Sequence, residues 1–557
     1  MQRKGSDIVM ECLLEQGVNT VFGYPGGSIL HIYDSLYQYS DKIRHILTAH
    51  EQGAAHAADG YARSTGKVGV VFATSGPGAT NLVTGIANAY MDSVPMVAIT
   101  CNVGTSYLGK DSFQEIDIVG ITIPITKHNF LVKRTEDIAP AIRQAFQIAA
   151  SGRPGPVLVD ITKDATENMA EYEKETISPQ EPFAAFTPQE LKTALGMLRR
   201  AKRPLIYAGG GVISSNASAE LKELQTLLDC PVALSLMGMG GFPASDSAFT
   251  GMIGMHGSKT SALAVRDCDL LIAIGARFSE RVTCDAETFA KDKKILHIDA
   301  DLAEINKNIL ADAYLVGDAK EVLKALLTGL KPCKHTAWME QIAAWKKDYP
   351  TFQPASTSLT PQVILETLHQ ATDGNAILCT DVGQHQMWAA QFYEIDKPRH
   401  FLTSGGLGTM GFGLGAAIGA QVGNPDATVI NITGDGCFHM NCNEFSTAVK
   451  QELPVINVLM NNNVLGMVRQ WQRMFYDSRF SETTLDKKTD YVAVAKGFGA
   501  EAVTVKTREE LESAIKDALL IRKTPTLINC IIDSDQTVLP MVPTGTPIEE
   551  PILKIKS

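Results

Sequence analysis

GDGCFHMNCNEFSTAVKQELPVINVLMNNNVLGMVRQW, residues Gly434 to Trp471, is the stretch from which the rest of the chain can be read. Gly434-Asp435-Gly436 closes an apolar run, Val429-Ile430-Asn431-Ile432-Thr433, and Asn461-Asn462 closes a second run about two dozen residues later. That interval is about the length of one strand–helix–strand crossover. Two strands ending together at one edge of a parallel sheet put both polar clusters in the crevice where α/β folds bind ligands. Asp435 and Asn462 then offer one carboxylate and one amide oxygen. This donor pair suits Mg²⁺, which takes few protein oxygens and shares its other positions with phosphate and water. A lone GDG would read equally well as a strand-to-helix turn with a capping aspartate; the paired asparagines at this distance favour a magnesium–diphosphate site.

The chain has 557 residues, enough for three or four domains and a large core, and its 45% apolar and 20% charged composition is that of a globular protein. A net charge of −11 with no basic run argues against nucleic acid or an anionic membrane surface and toward small molecules and other subunits. Ten scattered cysteines without CxxC or metal-ligand spacing read as reduced thiols of a cytoplasmic protein. The N-terminal residues form an amphipathic helix capped by Ser6 or Asp7 and stopped at Gly17, not a signal peptide, and no apolar run is long enough to span a membrane.

Working outward, β-like runs alternate with helical patterns three times, the rhythm of parallel sheets with crossovers. The first set is GVNTVFGY, KVGVVFAT, PMVAITC and GPVLVDI; the second is RPLIYAGGGV, CPVALSLMGMG, CDLLIAIGARF and KKILHIDAD; the third is AILCTDVGQHQ, ATVINITGDG, LPVINVLMNNN and TPTLINCIID. The expected class is α/β, with three similar doubly wound parallel-sheet domains over residues 1–163, 189–345 and 361–557. Two Pro-containing segments without periodicity, 164–188 and 346–360, read as linkers.

Three further clusters carry polar chemistry. Gly23-Tyr24-Pro25-Gly26-Gly27 is a turn that exposes bare backbone, or merely a tight turn. His50 and Glu51 fall at a strand end before a helix of small residues, where a glutamate either handles protons or stabilises the helix N-terminus. Thr74-Ser75-Gly76-Pro77-Gly78-Ala79-Thr80-Asn81 opens a helix after a strand and suits a polar ligand, but lacks the Walker lysine of nucleotide hydrolases.

With these come FGYPGG, AHEQGAAHAADGYAR, SGPGATN, KDSFQE, PITKHN, SGRPGPVLVD, GMHG, GARF-SERVT, HIDAD, GQHQMW, GLGTMGFGLGAAIGA and GMVRQWQ, in that order. In this respect the chain resembles acetohydroxyacid synthase (acetolactate synthase) catalytic subunits of the biosynthetic type, over about residues 5 to 545. The resemblance implies the three-domain thiamine-diphosphate-enzyme architecture: an N-terminal pyrimidine-binding, a central FAD-binding and a C-terminal diphosphate- and Mg²⁺-binding domain. It also implies a homodimer or homotetramer with active sites between subunits, and admits a separate regulatory subunit.

Carried over motif by motif, Glu51 is the catalytic carboxylate that hydrogen-bonds N1′ of the cofactor's aminopyrimidine. Tyr24, Pro25, Gly26, Pro77, Asn81, Val382, Gly383, Gln384, His385, Gly434, Gly436 and Met467 surround thiamine diphosphate, and Met410 supports its bent rings, although core filling is the usual fate of a methionine. Asp435, Asn462 and the backbone carbonyl of Val464 are the implied Mg²⁺ ligands. Arg153, Gly209, Gly210, Gly211, Met255, His256, Gly257, Arg277, Arg281, Asp299 and Asp318 fall in the motifs around the flavin, although no GxGxxG fingerprint is present. Ser279 and Glu280 replace the family's usual aspartates there, Cys284 a common glycine, and Ile123 a common arginine.

The implied reaction decarboxylates pyruvate and condenses the remaining two-carbon unit with pyruvate or 2-ketobutyrate. The products are 2-acetolactate or 2-aceto-2-hydroxybutyrate, in the first common step of isoleucine and valine biosynthesis. Gln114, and Lys133 or Lys127, are candidates for the substrate carboxylate, and Trp471 for the wall against the acceptor's extra methyl. A pyruvate oxidase-like flavoenzyme shares the three-domain plan, but GMVRQWQ and SFQE speak against it; a glyoxylate carboligase would lack Glu51.

Overall fold

In a computed structural model that describes residues 1–176, 183–353, 358–485 and 488–555, three six-stranded parallel sheets follow one another along the chain. Residues 177–182 and 354–357, parts of the two segments read as linkers, lie outside the described residues.

The first sheet comprises β1 (Thr20–Gly23), β2 (Arg44–Leu47), β3 (Gly69–Ala73), β4 (Met96–Asn102), β5 (His128–Val132) and β6 (Pro156–Thr162), in the order β2-β1-β3-β4-β6-β5. The second comprises β7 (Pro204–Ala208), β8 (Val232–Leu234), β9 (Phe249–Met252), β10 (Leu270–Ile274), β11 (Lys294–Asp299) and β12 (Ala313–Val316), in the order β9-β8-β7-β10-β11-β12. The third comprises β13 (Ile377–Thr380), β14 (Phe401–Leu402), β15 (Val429–Gly434), β16 (Ile456–Asn461), β17 (Glu501–Val505) and β18 (Thr526–Ile531), in the order β14-β13-β15-β16-β18-β17.

The outer two sheets thus share one topology and the middle sheet has another, so the three units are not the simple repeats their strand rhythm suggests. Strands such as β4 and β16 are buried along their whole length, which helices on both faces require and which near-continuous Val, Ile and Leu supply. Each fully buried side chain of this size is worth about 1.5–3 kcal/mol.

The first and third units meet through helix α1 (Glu51–Thr65) and helix α2 (Phe412–Gly423). Small residues permit the close approach: a Cβ on Gly60 would overlap the Ala416 backbone, one on Gly419 the Ala57 carbonyl, and one on Gly415 would lie 2.7 Å from His56 Cβ. The half-buried Arg63 sits over the Phe412 ring, ion-paired with Asp59 and Asp92, and donates to the Thr403 carbonyl.

Two local readings are corrected. The N-terminal helix runs Gly5–Glu15, so Ser6 and Asp7 lie inside its first turn, bound to the Ser35 hydroxyl rather than capping; Gly17, at φ +71°, stops it as read. Within 164–188, Lys163–Glu167 is helical and Met169–Glu171 pairs antiparallel with Gln2–Lys4. This strand buries Ala170 between two exposed neighbours, an alternation too short to stand out in the sequence.

Candidate functional site

In the third unit the strand order reverses between β13 and β15, the place where open α/β sheets bind ligands. Gly434 and Met460 are register partners, so Asp435 and Asn462 emerge side by side as the spacing predicts. Asp435 accepts from Gly436 N at 2.9 Å and from Asn463 N at 2.6 Å, while Asn462 Oδ1 accepts from Val464 N at 3.2 Å. Only 2% of Asp435 is exposed, and burial pushes its carboxyl up to about 6. Among the described residues no ion pair engages it, and a buried carboxylate of this kind is best compensated by a cation.

No described cluster of three or more His, Cys, Asp or Glu side chains could hold a metal. A cation here would therefore use the Asp435 carboxylate with the Asn462 amide, a Val464 carbonyl and ligand phosphate, a set that fits Mg²⁺. Beside it Gly383 and Gln384 open helix Gln384–Phe392, and bare N–H groups at a helix start suit a diphosphate. His385 is neutral, burial holding it down at about 3, and its ring lies against Gly434, where a Cβ would come within 2.9 Å of Nδ1. Gln384 is fixed by Gln470 and the Gln536 carbonyl, at 3.0 and 2.8 Å. Met410 is half-buried with its methyl toward Gly436, placing it at the GDG turn rather than in the core.

Helix Gly466–Phe475 continues from this site and sets Met467 and Trp471 on a cavity of 1080 Å³. Trp471 stacks edge-on with Phe475, has the Arg281 guanidinium 5.9 Å from its ring centre, and packs against Met255, Cys284, Met541 and Val542. Cys284 adopts φ +57° there, a backbone conformation that glycine takes more readily. The described walls of this cavity come from the second and third units and include Val382, Gly383, Met255 and His256, with none from the first.

The first unit carries the other cluster. His50, not Glu51, caps α1: its Nδ1 accepts from Gln52 N, and the Glu51 carboxylate turns instead to Asn81 Nδ2 at 2.9 Å. Gly78 leaves room, since a Cβ there would lie 3.3 Å from Glu51 Oε1. The Tyr24-Pro25-Gly26 turn packs on Thr74, Ser28 bonds Ser75 at 2.7 Å, and Gln114, at φ +60°, lies against Gly76. Glu51, Asn81, Pro77, Tyr24, Gly26 and Gln114 therefore share one neighbourhood.

The two lysines do not join it. Lys133 is exposed after edge strand β5, across the sheet from β2, which leads to Glu51. Five strand spacings of about 4.8 Å separate those edges. Lys127 is spent on the Ile148 and Ser151 carbonyls at 2.5 and 2.6 Å, closing the end of helix Ile138–Ala150, and burial pushes it down to about 8.

In the second unit the order reverses between β7 and β10, and a cavity of 280 Å³ lies there. Arg153, Gly210, Gly211, Arg277, Arg281, Asp299 and Asp318 line it. A Cβ on Gly211 would stand 2.5 Å from Gly275 Cα, the close backbone approach a dinucleotide needs. Burial pushes Asp299 up to about 6. Met255 and His256 face the larger cavity instead, and the two cavities share Leu236, Arg281, Val282 and Gly405. Gly209 and Gly257 line neither; Gly209 N bonds the Ile274 carbonyl and Gly257 N the Gly254 carbonyl.

Sequence reasoning passed over Glu444, Asn88 and Asp381. Glu444 accepts from Ala49 N and His50 N at 3.2 and 3.0 Å, holding the Glu51 turn from the third unit. The available signal was a glutamate opposite Gly53, a glycine whose Cβ would overlap that carboxylate, but no local pattern pairs positions so far apart.

Comparison with known proteins agrees with this geometry. Residues 3–121 match the thiamine pyrophosphate enzyme N-terminal TPP binding domain, 191–326 the central domain and 381–530 the C-terminal TPP binding domain. The chain belongs to the thiamine pyrophosphate enzyme family. Within it, the chain is 46% identical to a probable acetolactate synthase large subunit of Methanocaldococcus jannaschii, over 99% of this chain and 95% of that protein. It is also 46% identical to the acetolactate synthase large subunit of Corynebacterium glutamicum, over 97% and 89% of the two chains. Identity to the acetolactate synthase isozyme 3 large subunit of Escherichia coli is 44%, over 98% of both. No helix among the described residues is long and apolar enough to cross a membrane.

Proposed function

We propose that this protein is an acetolactate synthase catalytic subunit, joining the two-carbon unit left by pyruvate decarboxylation to a second pyruvate or to 2-ketobutyrate. The observation that carries this is the convergence of Asp435, Asn462 and the Gly383–His385 helix start at one sheet edge, with Trp471 on the adjoining cavity. Thiamine diphosphate, when bound, supplies the centre that stabilises the carbanion left by loss of CO₂.

The chain's own residues bind and orient. Asp435, Asn462 and the Val464 carbonyl would hold Mg²⁺, and the Gly383, Gln384 and His385 backbone the diphosphate. Glu51, oriented by Asn81, would share a proton with the pyrimidine N1′, a role worth about 10² to 10⁴ in rate. Gln114, which lies against Gly76, is the candidate for the substrate carboxylate. Met410 supports the rings, and Met467 and Trp471 wall the acceptor side. Because the large cavity is walled by the second and third units, Glu51 is assigned to a second copy of the chain, making the oligomer the active form. FAD is assigned to the smaller cavity on the strength of its strand order, the Gly211–Gly275 approach and its polar lining. The relatives' designation as large subunits supports a separate regulatory partner, and the reduced-thiol composition a cytoplasmic setting.

The test is to incubate the purified protein with pyruvate, Mg²⁺ and thiamine diphosphate, with and without 2-ketobutyrate, and identify the products. Acetolactate, and acetohydroxybutyrate when 2-ketobutyrate is present, are expected. Acetate or acetyl phosphate with oxygen uptake would overturn the reading in favour of an oxidase.

A further inference from the structure

The loop before α2 is gripped on both sides of Met410. On its leading side, Thr409 N donates to Ser404 Oγ at 2.9 Å, and Ser404 and Thr409 hydroxyls both donate to Asn88 Oδ1, at 2.5 and 3.2 Å, from the first unit. On its trailing side, Asp381 Oδ1 accepts from Gly411 N at 2.7 Å and Gly413 N at 3.0 Å. Asp381 Oδ2 accepts from Thr433 Oγ1 at 2.7 Å. Only 2% of Asp381 is exposed, and among the described residues it is met by backbone amides of the Gly411–Gly413 turn and a neutral hydroxyl, with no ion pair.

A buried carboxylate without a cation is costly, and here the amides at the start of a twelve-residue helix offset that cost. Gly411 is in the left-handed region at φ +90°, and a Cβ on it would lie 2.8 Å from Asn441 Nδ2. One carboxylate thereby joins three segments of the site: its own strand end, leading into Val382 and Gly383; the strand ending in Thr433-Gly434-Asp435; and the loop bearing Met410. The methyl of that methionine faces Gly436 across the space between them.

We propose that Asp381 is a positioning residue that acts through Met410, setting the height of the apolar support beneath the cofactor against the Gly434-Asp435-Gly436 turn that holds its metal. The proposal rests on the assignment of thiamine diphosphate to this site. It separates two functions: cofactor grip belongs to Asp435 and Asn462, and ring geometry to Asp381. Asp381→Asn keeps an oxygen for the two amides and lets the new NH₂ group donate to Thr433, whose hydroxyl can turn to the Gly434 carbonyl 3.3 Å away.

The experiment measures, on full-length protein, Mg²⁺-dependent thiamine diphosphate affinity, hydrogen–deuterium exchange at cofactor C2, and amide exchange of residues 404–414 in the apoprotein. Asp381→Asn is expected to slow C2 exchange about tenfold, change affinity less than about threefold and raise amide exchange at Gly411 and Gly413. Met410→Ala should give the same split, and the double variant should be no slower than Met410→Ala, because residues acting through one another are not additive. Thr433→Val, nearly the same shape, should move C2 exchange about threefold in the same direction and keeps the test open if Asp381→Asn does not fold. Unchanged C2 exchange in both Asp381→Asn and Thr433→Val, or fully additive losses with Met410→Ala, would overturn this proposal alone. Wild-type protein that binds no thiamine diphosphate would overturn the functional reading and this proposal with it.

Discussion

The first and third units share one strand order, and each carries a carboxylate on the loops at one end of its sheet, Asp435 after a strand of the switch pair and Glu51 after edge strand β2, but the two carboxylates have opposite surroundings. Asp435 sits against backbone N–H groups with burial raising its proton affinity, the setting of a group made to receive a cation. Glu51 turns away from its own helix to a neutral amide, Asn81, and a glycine keeps the space in front of it clear. That setting leaves one face of the carboxylate open to a neutral partner. Topology delivers both groups to sheet edges; the donors around each decide its chemistry.

The sharpest way to break the contrast is to remove each charge in turn. Glu51→Gln is expected to lower turnover by about 10² to 10⁴ while Mg²⁺-dependent cofactor affinity stays near wild type. Asp435→Asn should instead weaken that affinity by at least about 10-fold, the loss already seen when a mere outer-shell partner of a metal is removed, read by calorimetric titration of thiamine diphosphate. Equal losses of affinity in both variants would abolish the distinction.

The pH behaviour of Asp435 sharpens it further. Its folded-state value of about 6 lies above the usual carboxylate value near 4. Between those pH values the folded apoprotein binds a proton that the unfolded chain releases, so this group's contribution to stability falls as pH rises through the window. Apo Asp435→Asn should therefore gain most over apo wild type above pH 6, by about 1–3 kcal/mol, and the gain should vanish below pH 4. Urea unfolding at pH 4, 5, 6 and 8 reads this; a pH-independent gap would contradict it. Protons and Mg²⁺ compete for the same carboxylate, so metal-dependent cofactor binding should weaken below about pH 6.

The smallest effect concerns acceptor choice. Burying one methylene is worth about 0.8 kcal/mol, so Trp471→Leu should lower the preference for 2-ketobutyrate by roughly fourfold or more while acetolactate formation persists. An unchanged product ratio in competition would move Trp471 out of the site.

The twelve β-runs visible in the sequence are the four interior strands of each sheet, buried on both faces and therefore continuous apolar runs. The edges were not legible: β2 reads RHIL, β17 reads EAVTV with mostly exposed residues, and β14 is two residues long. Strand order was not legible either, and it separates the middle unit from its neighbours. At the site, Asp435 with Asn462 followed from spacing, because one crossover joins adjacent strands. Glu51 stood out as one of two readings of a helix start, and the resemblance chose between them; the residues around the smaller cavity were singled out by the resemblance alone. Asp381 and Glu444 escaped because their partners lie 30 to 52 and 394 to 395 residues away, beyond any local periodicity. Lys133 lies apart from the Glu51 cluster because closeness in sequence to a polar motif does not carry a side chain from edge strand β5 to the loops after β1 and β3.

Glu51 from one copy of the chain and Asp435 from another are proposed to complete one site, and isolated mixed dimers decide the matter. Co-expression of differently tagged Glu51→Gln and Asp435→Asn chains, followed by purification on both tags, yields dimers with one intact and one doubly altered site. Acetolactate formation at about half the wild-type rate per dimer is predicted, where each homodimer alone is nearly inactive. Mixed dimers no more active than either parent would contradict the account.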